Sequence, residues 1–306
     1  MGTPQFACPS LDALLAAGDP VVAVVCQPDR PRGRGLGVVA PETKRLAERH
    51  GIPVLQPTRL RDPAFQDALR ALAPDLGVVA AYGRILPREV LDLPTHGCIN
   101  VHASLLPRHR GAAPVQWSLL SGDDETGITI MRMNEELDAG DILLQRPLPV
   151  RADHTGGALL AELAALGALT LVEAIDGLKA GRLQPRAQPL AGVTFAPRIE
   201  REHCRLDWTR SALELERLVR AMAPTPSAFT TLGGKLLKVH QGRAESDQRS
   251  DPPGTVLAAG PDGLIVQTGR GSLRLLEVQL EGRKTLPIAA FLAGVRVPVG
   301  SRLGDP

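Results

Sequence analysis

An amide and an imidazole lie two residues apart at the end of an apolar segment, in CINVHASLLPRHRGAAP, which runs from Cys98 to Pro114. Side chains at positions i and i+2 of a strand share a face, so Asn100 and His102 should point the same way, with Cys98 one step back. An amide donates hydrogen bonds, and a histidine exchanges protons near neutral pH. This pair is suited to stabilising an oxyanion and moving protons in acyl transfer, although an ordinary polar pair at a strand end has the same spacing.

A second polar segment, MRMNEELDAGDILLQ, places Asp138 and Asp141 on either side of Ala139-Gly140. A carboxylate beside a turn glycine is an ordinary Asx turn by itself, but beside a histidine it would favour the charged imidazole and order water. The sequence has no serine or cysteine in a nucleophile elbow, so it does not indicate a covalent acyl-enzyme. Its histidines are too scattered for a metal site of usual spacing.

The first half of the chain alternates short apolar segments with helix-like segments, which predicts an α/β fold with a mostly parallel, doubly wound, Rossmann-like sheet. Ligands of such sheets bind beyond the carboxyl ends of the strands, where Asn100 and His102 lie. The predicted strands are Val21–Gln27, Pro53–Gln56, Leu76–Ala81, Cys98–Ser104 and the closing pair Ile128–Met133 and Ile142–Leu148. The predicted helices are Leu11–Ala17, Glu42–Arg49, Ala64–Leu72 and Arg88–Leu91.

The second half of the chain has a different pattern. A long Ala/Leu segment after Asp153 predicts a helix that ends at Gly181. The Pro-rich residues 183–203 lack periodicity, and we interpret them as the linker between a catalytic domain, residues 1–182, and a C-terminal domain, residues 204–306. In the latter, a helix at Ser211–Ala223 precedes short strands, which predicts a small β-barrel or sandwich, with an OB-like barrel expected. The turn signals are Gly233-Gly234, Pro261-Asp262-Gly263 and Gly269-Arg270-Gly271.

Composition sets further limits. The 306 residues include 35 basic and 33 acidic side chains, a balance that neither indicates nor excludes nucleic-acid binding. Aromatic residues make up only 3%, which disfavours stacking platforms for single strands. No apolar run reaches the roughly 18 residues that span a bilayer, and no secretory signal is evident. The four cysteines are far apart and predict buried, reduced thiols, so we expect a cytoplasmic protein.

Two motifs taken together, INVHASLLPRHRGAAPVQW and ITIMRMNEELDAGDIL, resemble the folate-dependent formyltransferases. GTPQFA, QPDRPRGRG and RLDWTRSALELERLVRAMAPTPSAF narrow the resemblance to the members that act on methionyl-tRNA, and it extends over essentially the whole chain. It implies direct transfer of the formyl group from 10-formyltetrahydrofolate to the α-amino group of methionine on initiator tRNA, for translation initiation. It also implies that Asn100, His102 and Asp138 are the catalytic residues, and that no metal takes part.

The resemblance implies binding residues as well. Those for the folate are a loop and a second segment along the pterin pocket: Ser104, Leu105, Leu106 and Pro107, with Arg84, Ile85 and Leu86. Leu105 and Leu106 could equally be plain core residues. Residues 27–41 would be a mobile arm for the tRNA acceptor end, with Arg34 foremost and Arg30 and Arg32 as further phosphate contacts. Family members often have lysines after the GRG, whereas this chain has Leu36-Gly37-Val38-Val39, so its arm is less basic. We expect a monomer.

One expected strand is absent from the sequence. In the family, the GTP segment normally follows an apolar strand inside the sheet, but here Met1 directly precedes Gly2-Thr3-Pro4. Loss of an interior strand would leave the neighbouring strands with orphaned backbone groups, each costing about 1–3 kcal/mol. We therefore expect the natural protein to begin some residues upstream of Met1, at a non-ATG start, which an intact-mass measurement would test.

Three other functions compete with this one. A formyltransferase acting on an amino sugar nucleotide would share the catalytic residues, but the GTP and QPDRPRGRG segments count against it. A non-catalytic protein that binds tRNA or folate is disfavoured because all three candidate catalytic residues are present. A dinucleotide-dependent dehydrogenase is disfavoured because no G-x-G-x-x-G follows a predicted strand.

Overall fold

The structure is a computed structural model that describes residues 1–32, 37–246 and 251–304. The chain forms two compact units. The first unit consists of Met1–Pro114, Glu125–Pro149 and Leu160–Pro197, and the second of Val115–Asp124, Val150–Leu159 and Arg198–Pro306.

Strands and helices follow one another in the order expected of an α/β unit and then a β-rich unit. The strands are β1 (Val24–Val25), β2 (Arg30–Arg32), β3 (Gly37–Val39), β4 (Val54–Leu55), β5 (Gly77–Val79), β6 (Cys98–His102), β7 (Glu125–Arg132), β8 (Ile142–Pro149), β9 (Ala228–Leu232), β10 (Lys235–Glu245), β11 (Val256–Gly260), β12 (Gly263–Gln267), β13 (Ser272–Leu280) and β14 (Leu286–Pro287). The helices are α1 (Cys8–Ala16), α2 (Glu42–Arg49), α3 (Pro63–Ala71), α4 (Arg88–Leu91), α5 (Pro114–Ser121), α6 (Gly156–Lys179), α7 (Ala212–Met222) and α8 (Ile288–Gly294).

The sheet that carries the site has the strand order β5-β6-β7-β8. β5 and β6 are parallel, whereas β7 is antiparallel to both β6 and β8, which confirms the predicted closing pair. β1 and β4 form a second parallel pair. All five residues of β6 are buried, because this strand has a neighbour on each side and helices cover the sheet. The α/β, Rossmann-like fold is therefore confirmed.

Local sequence pattern predicts the helices better than the strands. The limits of α2 and α4 are those predicted. The predicted strand Val21–Gln27, however, is reduced to Val24–Val25, because these are the residues in register with Val54 and Leu55 of β4. The length of a strand depends on its partners, which a local pattern does not contain.

The long Ala/Leu helix is confirmed as α6, and Gly181, with φ of 65°, lies just past its end. A Cβ at Gly167 would lie 2.9 Å from Val101 Cγ1, so this glycine lets α6 approach β6 closely. By length and composition α6 is also the one helix, among the residues described, that could cross a membrane. A helix inside a protein core meets the same test, and Leu163 and Leu171 of α6 are fully buried. A cytoplasmic location stays a prediction.

The second unit contains an antiparallel sheet with the strand order β11-β12-β13-β10-β9, with β14 paired to β13. All three predicted turn signals lie between consecutive strands, as at Gly233-Gly234, whose φ values are 54° and 73°. The predicted helix before them is α7, which begins after Ser211 in a capping box with Glu214. Hydrogen bonds from Ser211 hold the pKa of Glu214 down at about 2. The β-rich C-terminal domain is confirmed, and its closure into a barrel stays a prediction.

The segment interpreted as a linker, residues 183–203, contributes backbone hydrogen bonds to the first unit. Arg186 and Ile142 exchange two of them, at 2.8 and 2.9 Å from nitrogen to oxygen. The Ala196 nitrogen donates to the Arg110 oxygen over 2.7 Å, and the Arg110 nitrogen donates to the Thr194 oxygen over 2.9 Å. Residues up to Pro197 therefore form part of this unit. The domain boundaries drawn from sequence stay predictions.

A cavity of about 570 Å³ lies in the first unit, bordered by β1, β5 and Met1. The Gly2 nitrogen donates a hydrogen bond to Val25 O, and the Ala80 nitrogen donates one to Met1 O, each over 2.9 Å. Met1 and Gly2 therefore lie between these two strands in the manner of strand residues. Burial lowers the pKa of the Met1 ammonium group to about 6.

We expect an apolar extension of about five residues before Met1 to raise the melting temperature by several degrees, because it can pair with the strands that border the cavity. A Gly/Ser extension of equal length is the matched control, since it removes the ammonium group from its buried position without supplying apolar side chains. Thermal unfolding of the two extended proteins measures the difference. Equal melting temperatures would contradict the prediction.

The same experiment has a pH signature. In the unextended chain the buried ammonium has a pKa of about 6, below its ordinary value of 8.0, so the unfolded chain binds more protons between these values. The free energy of unfolding should therefore rise as the pH rises through this window, and fall as the pH is lowered. In both extended proteins this pH-dependent contribution should be absent.

Candidate active site

Asn100 and His102 lie at the carboxyl end of β6, and both side chains are largely buried, with 9% and 5% of their surface exposed. Their neighbours in β7 are Met131 and Thr129. Asp138, 14% exposed, approaches both from the loop between β7 and β8. Its Oδ1 is 3.5 Å from Asn100 Nδ2, and its Oδ2 is 3.7 Å from His102 Nδ1. The structure thus brings the three predicted catalytic residues together, and their catalytic role stays a prediction.

The imidazole of His102 is held in one orientation. Its Nε2 is 3.0 Å from the carbonyl oxygen of His109, which is deeply buried and can only accept a hydrogen bond. Nε2 therefore carries a hydrogen, and Nδ1 is the ring nitrogen that faces Asp138. Because Nδ1 faces the Asp138 carboxylate, protonation there produces a cation beside an anion.

Asp138 is fixed by its loop rather than by a strand. Its φ of 48° lies in the left-handed region, which aspartate tolerates better than most residues. The backbone nitrogen of Gly111 donates to its Oδ2 over 2.8 Å. A Cβ at Gly140 would lie 1.8 Å from the carbonyl oxygen of Arg132, so only glycine permits this tight return of the chain. Asp141, the other acid of the motif, has an exposed side chain, and its carbonyl oxygen accepts from the Arg132 nitrogen.

Cys98, on the same strand as Asn100, contributes no nucleophile. Burial raises the pKa of its thiol to about 11. All four cysteines are buried and unpaired, as expected from the sequence. In the described parts of the chain, no His, Cys, Asp and Glu side chains cluster as a metal site would require. The expectation that no metal takes part stays a prediction.

Thr129 organises the loop that follows β6. Its hydroxyl donates to the carbonyl oxygen of Ser104 over 2.6 Å and accepts from the backbone nitrogen of Leu106 over 3.1 Å. Gln145 Nε2 also donates to this hydroxyl, over 3.0 Å. The Ser104 hydroxyl donates in turn to the Arg108 carbonyl oxygen. Residues of β7 and β8 therefore hold the loop in a defined conformation.

We expect Thr129→Val to lower the free energy of unfolding by about 1–3 kcal/mol, because the buried nitrogen of Leu106 loses its hydrogen-bond acceptor at almost unchanged side-chain volume. Urea unfolding measures the change. Thr170→Val is the matched control, since Thr170 is also buried but its hydroxyl donates within α6, to Leu166 O. A loss no larger than that of the control would contradict the proposed role of Thr129.

The residues predicted to bind folate differ in their surroundings. Leu106 is buried against Met131 and Ile142, and Leu86 packs in another core cluster. Ile85, by contrast, is 73% exposed. The other members are the partly buried Leu105 and Pro107, the fully buried Ser104, and Arg84, which donates to the carbonyl oxygens of Pro57 and Thr58. Their contact with folate stays a prediction.

The predicted tRNA arm is described in part. Arg30 begins β2, which pairs antiparallel with β3, and its guanidinium donates to Gln27 Oε1 over 2.7 Å. Arg32 is the last residue of β2. Arg34, the foremost candidate, lies outside the described residues. Val38 of β3 is exposed, in keeping with an arm less basic than the family pattern.

Sequence reasoning missed several residues that build the site. Gly111 and Gln188 donate hydrogen bonds to Asp138, Thr129 donates one to the loop after β6, and Arg110 donates to Gln188. Gln188 lies in the segment interpreted as a linker, 50 positions after Asp138. No periodic or motif signal marked it, because its partners are backbone carbonyls of a distant loop.

Comparison with known proteins gives the family. Residues 1–175 match the formyl transferase family, and residues 198–296 match the formyl transferase C-terminal domain. The chain belongs to the formyl transferase family. The methionyl-tRNA formyltransferase of Myxococcus xanthus is 54% identical to this formyl transferase over 302 residues, which is 99% of this chain and 96% of the relative. The resemblance drawn from the sequence motifs is confirmed.

Solved structures share the fold at lower identity. HypX from Aquifex aeolicus, solved in complex with tetrahydrofolic acid, has a TM-score of 0.61 to this formyl transferase and 22% identity, covering 88% of this chain. The chain spans about half the length of HypX, 46%. An N-formyltransferase from Helicobacter canadensis, solved with folinic acid and dTDP-3-aminofucose, has a TM-score of 0.66 and 15% identity, covering 90% of this chain and 97% of its own. These likenesses show the fold.

Proposed function

We propose that the protein transfers the formyl group of 10-formyltetrahydrofolate to the α-amino group of methionine on initiator Met-tRNA, for translation initiation. One observation carries the proposal: Asn100, His102 and Asp138 meet at a strand end in a formyl transferase chain. The relative from Myxococcus xanthus, which is similar over nearly its full length, supports the choice of acceptor. The Helicobacter canadensis enzyme shares only the fold, so an amino sugar acceptor remains the weaker alternative.

The geometry supports a direct transfer without a covalent enzyme intermediate. 10-Formyltetrahydrofolate supplies the formyl carbon, and addition of the methionyl amine puts negative charge on the formyl oxygen. Asn100 Nδ2 and the protonated His102 are suited to donating hydrogen bonds to that oxygen. Asp138 favours the charged imidazole, and its carboxylate can take the amine's proton through water and pass it on to the leaving folate nitrogen.

The loops around the site fit an aromatic, amide-bearing co-substrate such as the folate. Exposed Ile85 and partly buried Leu105 offer apolar contact, while the backbone around them can bind ring edges. Leu86 and Leu106 are buried in the core, and their packing would hold the two binding loops in place. On the tRNA side, exposed Arg30, together with Arg32 and Arg34, would contact phosphates of the acceptor end.

The test is an acceptor comparison with the full-length protein. The protein is incubated with radiolabelled 10-formyltetrahydrofolate and, separately, with initiator Met-tRNA, elongator Met-tRNA or a dTDP-amino sugar. We expect label on the methionine of initiator Met-tRNA. Faster labelling of the amino sugar would overturn the proposal in favour of the alternative, and labelling of no acceptor would reject both.

A further inference from the structure

The backbone around Asp138 is held by a side chain from a distant part of the chain. Gln188 Nε2 donates hydrogen bonds to the carbonyl oxygens of both Asp138 and Gly140, each over 2.8 Å. An amide nitrogen has two hydrogens, and these two bonds use both. Gln188 is partly buried, whereas Ala187 and Pro189 beside it are exposed, so its side chain turns inward where its two neighbours do not.

The other end of the same amide is fixed as well. Gln188 Oε1 accepts from Arg110 Nε and from a terminal guanidinium nitrogen, over 3.0 and 2.7 Å. The backbone of Arg110 is bonded to Thr194 and Ala196, which belong to the same segment as Gln188. An amide held at both its nitrogen and its oxygen has little freedom to rotate, so its two donors are aimed at the Asp138 loop.

These contacts form a hydrogen-bond network around the Asp138 carboxylate. Gly111 follows Arg110 directly in the chain, and its nitrogen donates to Asp138 Oδ2. The side chain of Arg110 donates to Gln188, which in turn donates to Asp138 O. A left-handed φ outside glycine costs free energy, and it persists where the surroundings over-determine it. Here Gln188 holds the backbone of Asp138, while Gly111, next to Arg110, holds the direction of its carboxylate.

We propose that Gln188 is a positioning residue, which holds Asp138 in the orientation that favours the protonated form of His102. The proposal rests on the proposed function for its consequence in catalysis. Without the two bonds, the loop can relax from its left-handed conformation, and the carboxylate moves away from His102 Nδ1. Misplacement of about 1 Å can lower a rate by as much as a hundredfold, so a loss of at least about tenfold in kcat is expected for Gln188→Ala.

The first measurement does not need activity. The ring proton resonances of His102 are recorded by NMR at one fixed pH in the wild type, in Gln188→Ala and in Gln184→Ala, whose exposed glutamine in the same segment makes it the matched control. We expect these resonances to move in Gln188→Ala, because the Asp138 carboxylate leaves His102 Nδ1, and to stay in place in Gln184→Ala. Unchanged resonances in Gln188→Ala would overturn the proposal.

The second measurement separates positioning from a merely structural role. In Gln188→Ala we expect kcat to fall at least about tenfold, KM for either substrate to change less than about twofold, and the melting temperature to stay near that of the wild type. If the fall in kcat were fully explained by a fall in the fraction of folded protein, the proposal would be overturned. If the wild type labels no Met-tRNA, the proposed function fails, whereas the NMR result still decides the positioning role.

Arg110 offers an independent check, because its side chain acts through Gln188. Arg110→Ala should lower kcat in the same direction, and the double variant should be little worse than Gln188→Ala alone. If the losses in kcat of the two single variants were additive in the double variant, the two side chains would act separately, which would contradict this hydrogen-bond network.

Discussion

Replacement of His102 by alanine is expected to lower the rate of formyl transfer at least about a hundredfold while the protein stays folded. The variant loses the imidazole, whose protonated form donates a hydrogen bond to the developing oxyanion. Asp138 then faces no imidazole, so its carboxylate cannot supply the missing donor. Single-turnover labelling of Met-tRNA measures the rate of the chemical step.

Two controls make the His102 result decisive. His50→Ala removes an exposed histidine and should leave the rate unchanged. Far-UV circular dichroism and thermal unfolding should show that His102→Ala keeps its fold, since the side chain makes one backbone contact, to the carbonyl oxygen of His109. Turnover close to that of the wild type in His102→Ala would reject the catalytic assignment.

The sequence could predict the pairing of Asn100 with His102, because the two-residue period of a strand is a local property. It could not place Asp138 by the same logic. Asp138 lies 38 residues after Asn100, and its position depends on a glycine that admits a close backbone approach at Arg132. Only the resemblance of the motif to a known family identified this residue as a partner of the other two.

The binding loops show a similar division between local and tertiary information. The motif SLLP could be recognised from the sequence, but the burial of Leu106 depends on Met131 and Ile142 of other strands. Likewise, the Pro-rich segment gave no period, because residues 183–197 bind to β8 and to loops through scattered hydrogen bonds and do not form a helix or a strand of their own. Polar contacts between distant backbones leave little trace in local patterns, which is why Gln188 was missed.

Asn100→Ala is expected to slow formyl transfer at least about a hundredfold, because it removes a pre-oriented oxyanion donor. Asn100→Asp has nearly the same shape but places a second carboxylate about 3.5 Å from Asp138 Oδ1. Two carboxylates this close do not both ionise readily, so one of them holds a proton to higher pH. The rate loss of Asn100→Asp should therefore grow as the pH rises, because the protonated form can still donate a hydrogen bond and the ionised pair cannot.

The pH series tests whether Asn100 acts as a hydrogen-bond donor or only as a spacer. The rates of wild type, Asn100→Ala, Asn100→Asp and the exposed-loop control Asn134→Ala are compared across the neutral range. A donor role requires that Asn100→Asp be closest to the wild type at the lowest pH, whereas Asn100→Ala is slow throughout and Asn134→Ala follows the wild type. If Asn100→Asp matched the wild type at every pH, the shape of the side chain rather than its hydrogen bonding would account for the role of Asn100, and the oxyanion assignment would fail.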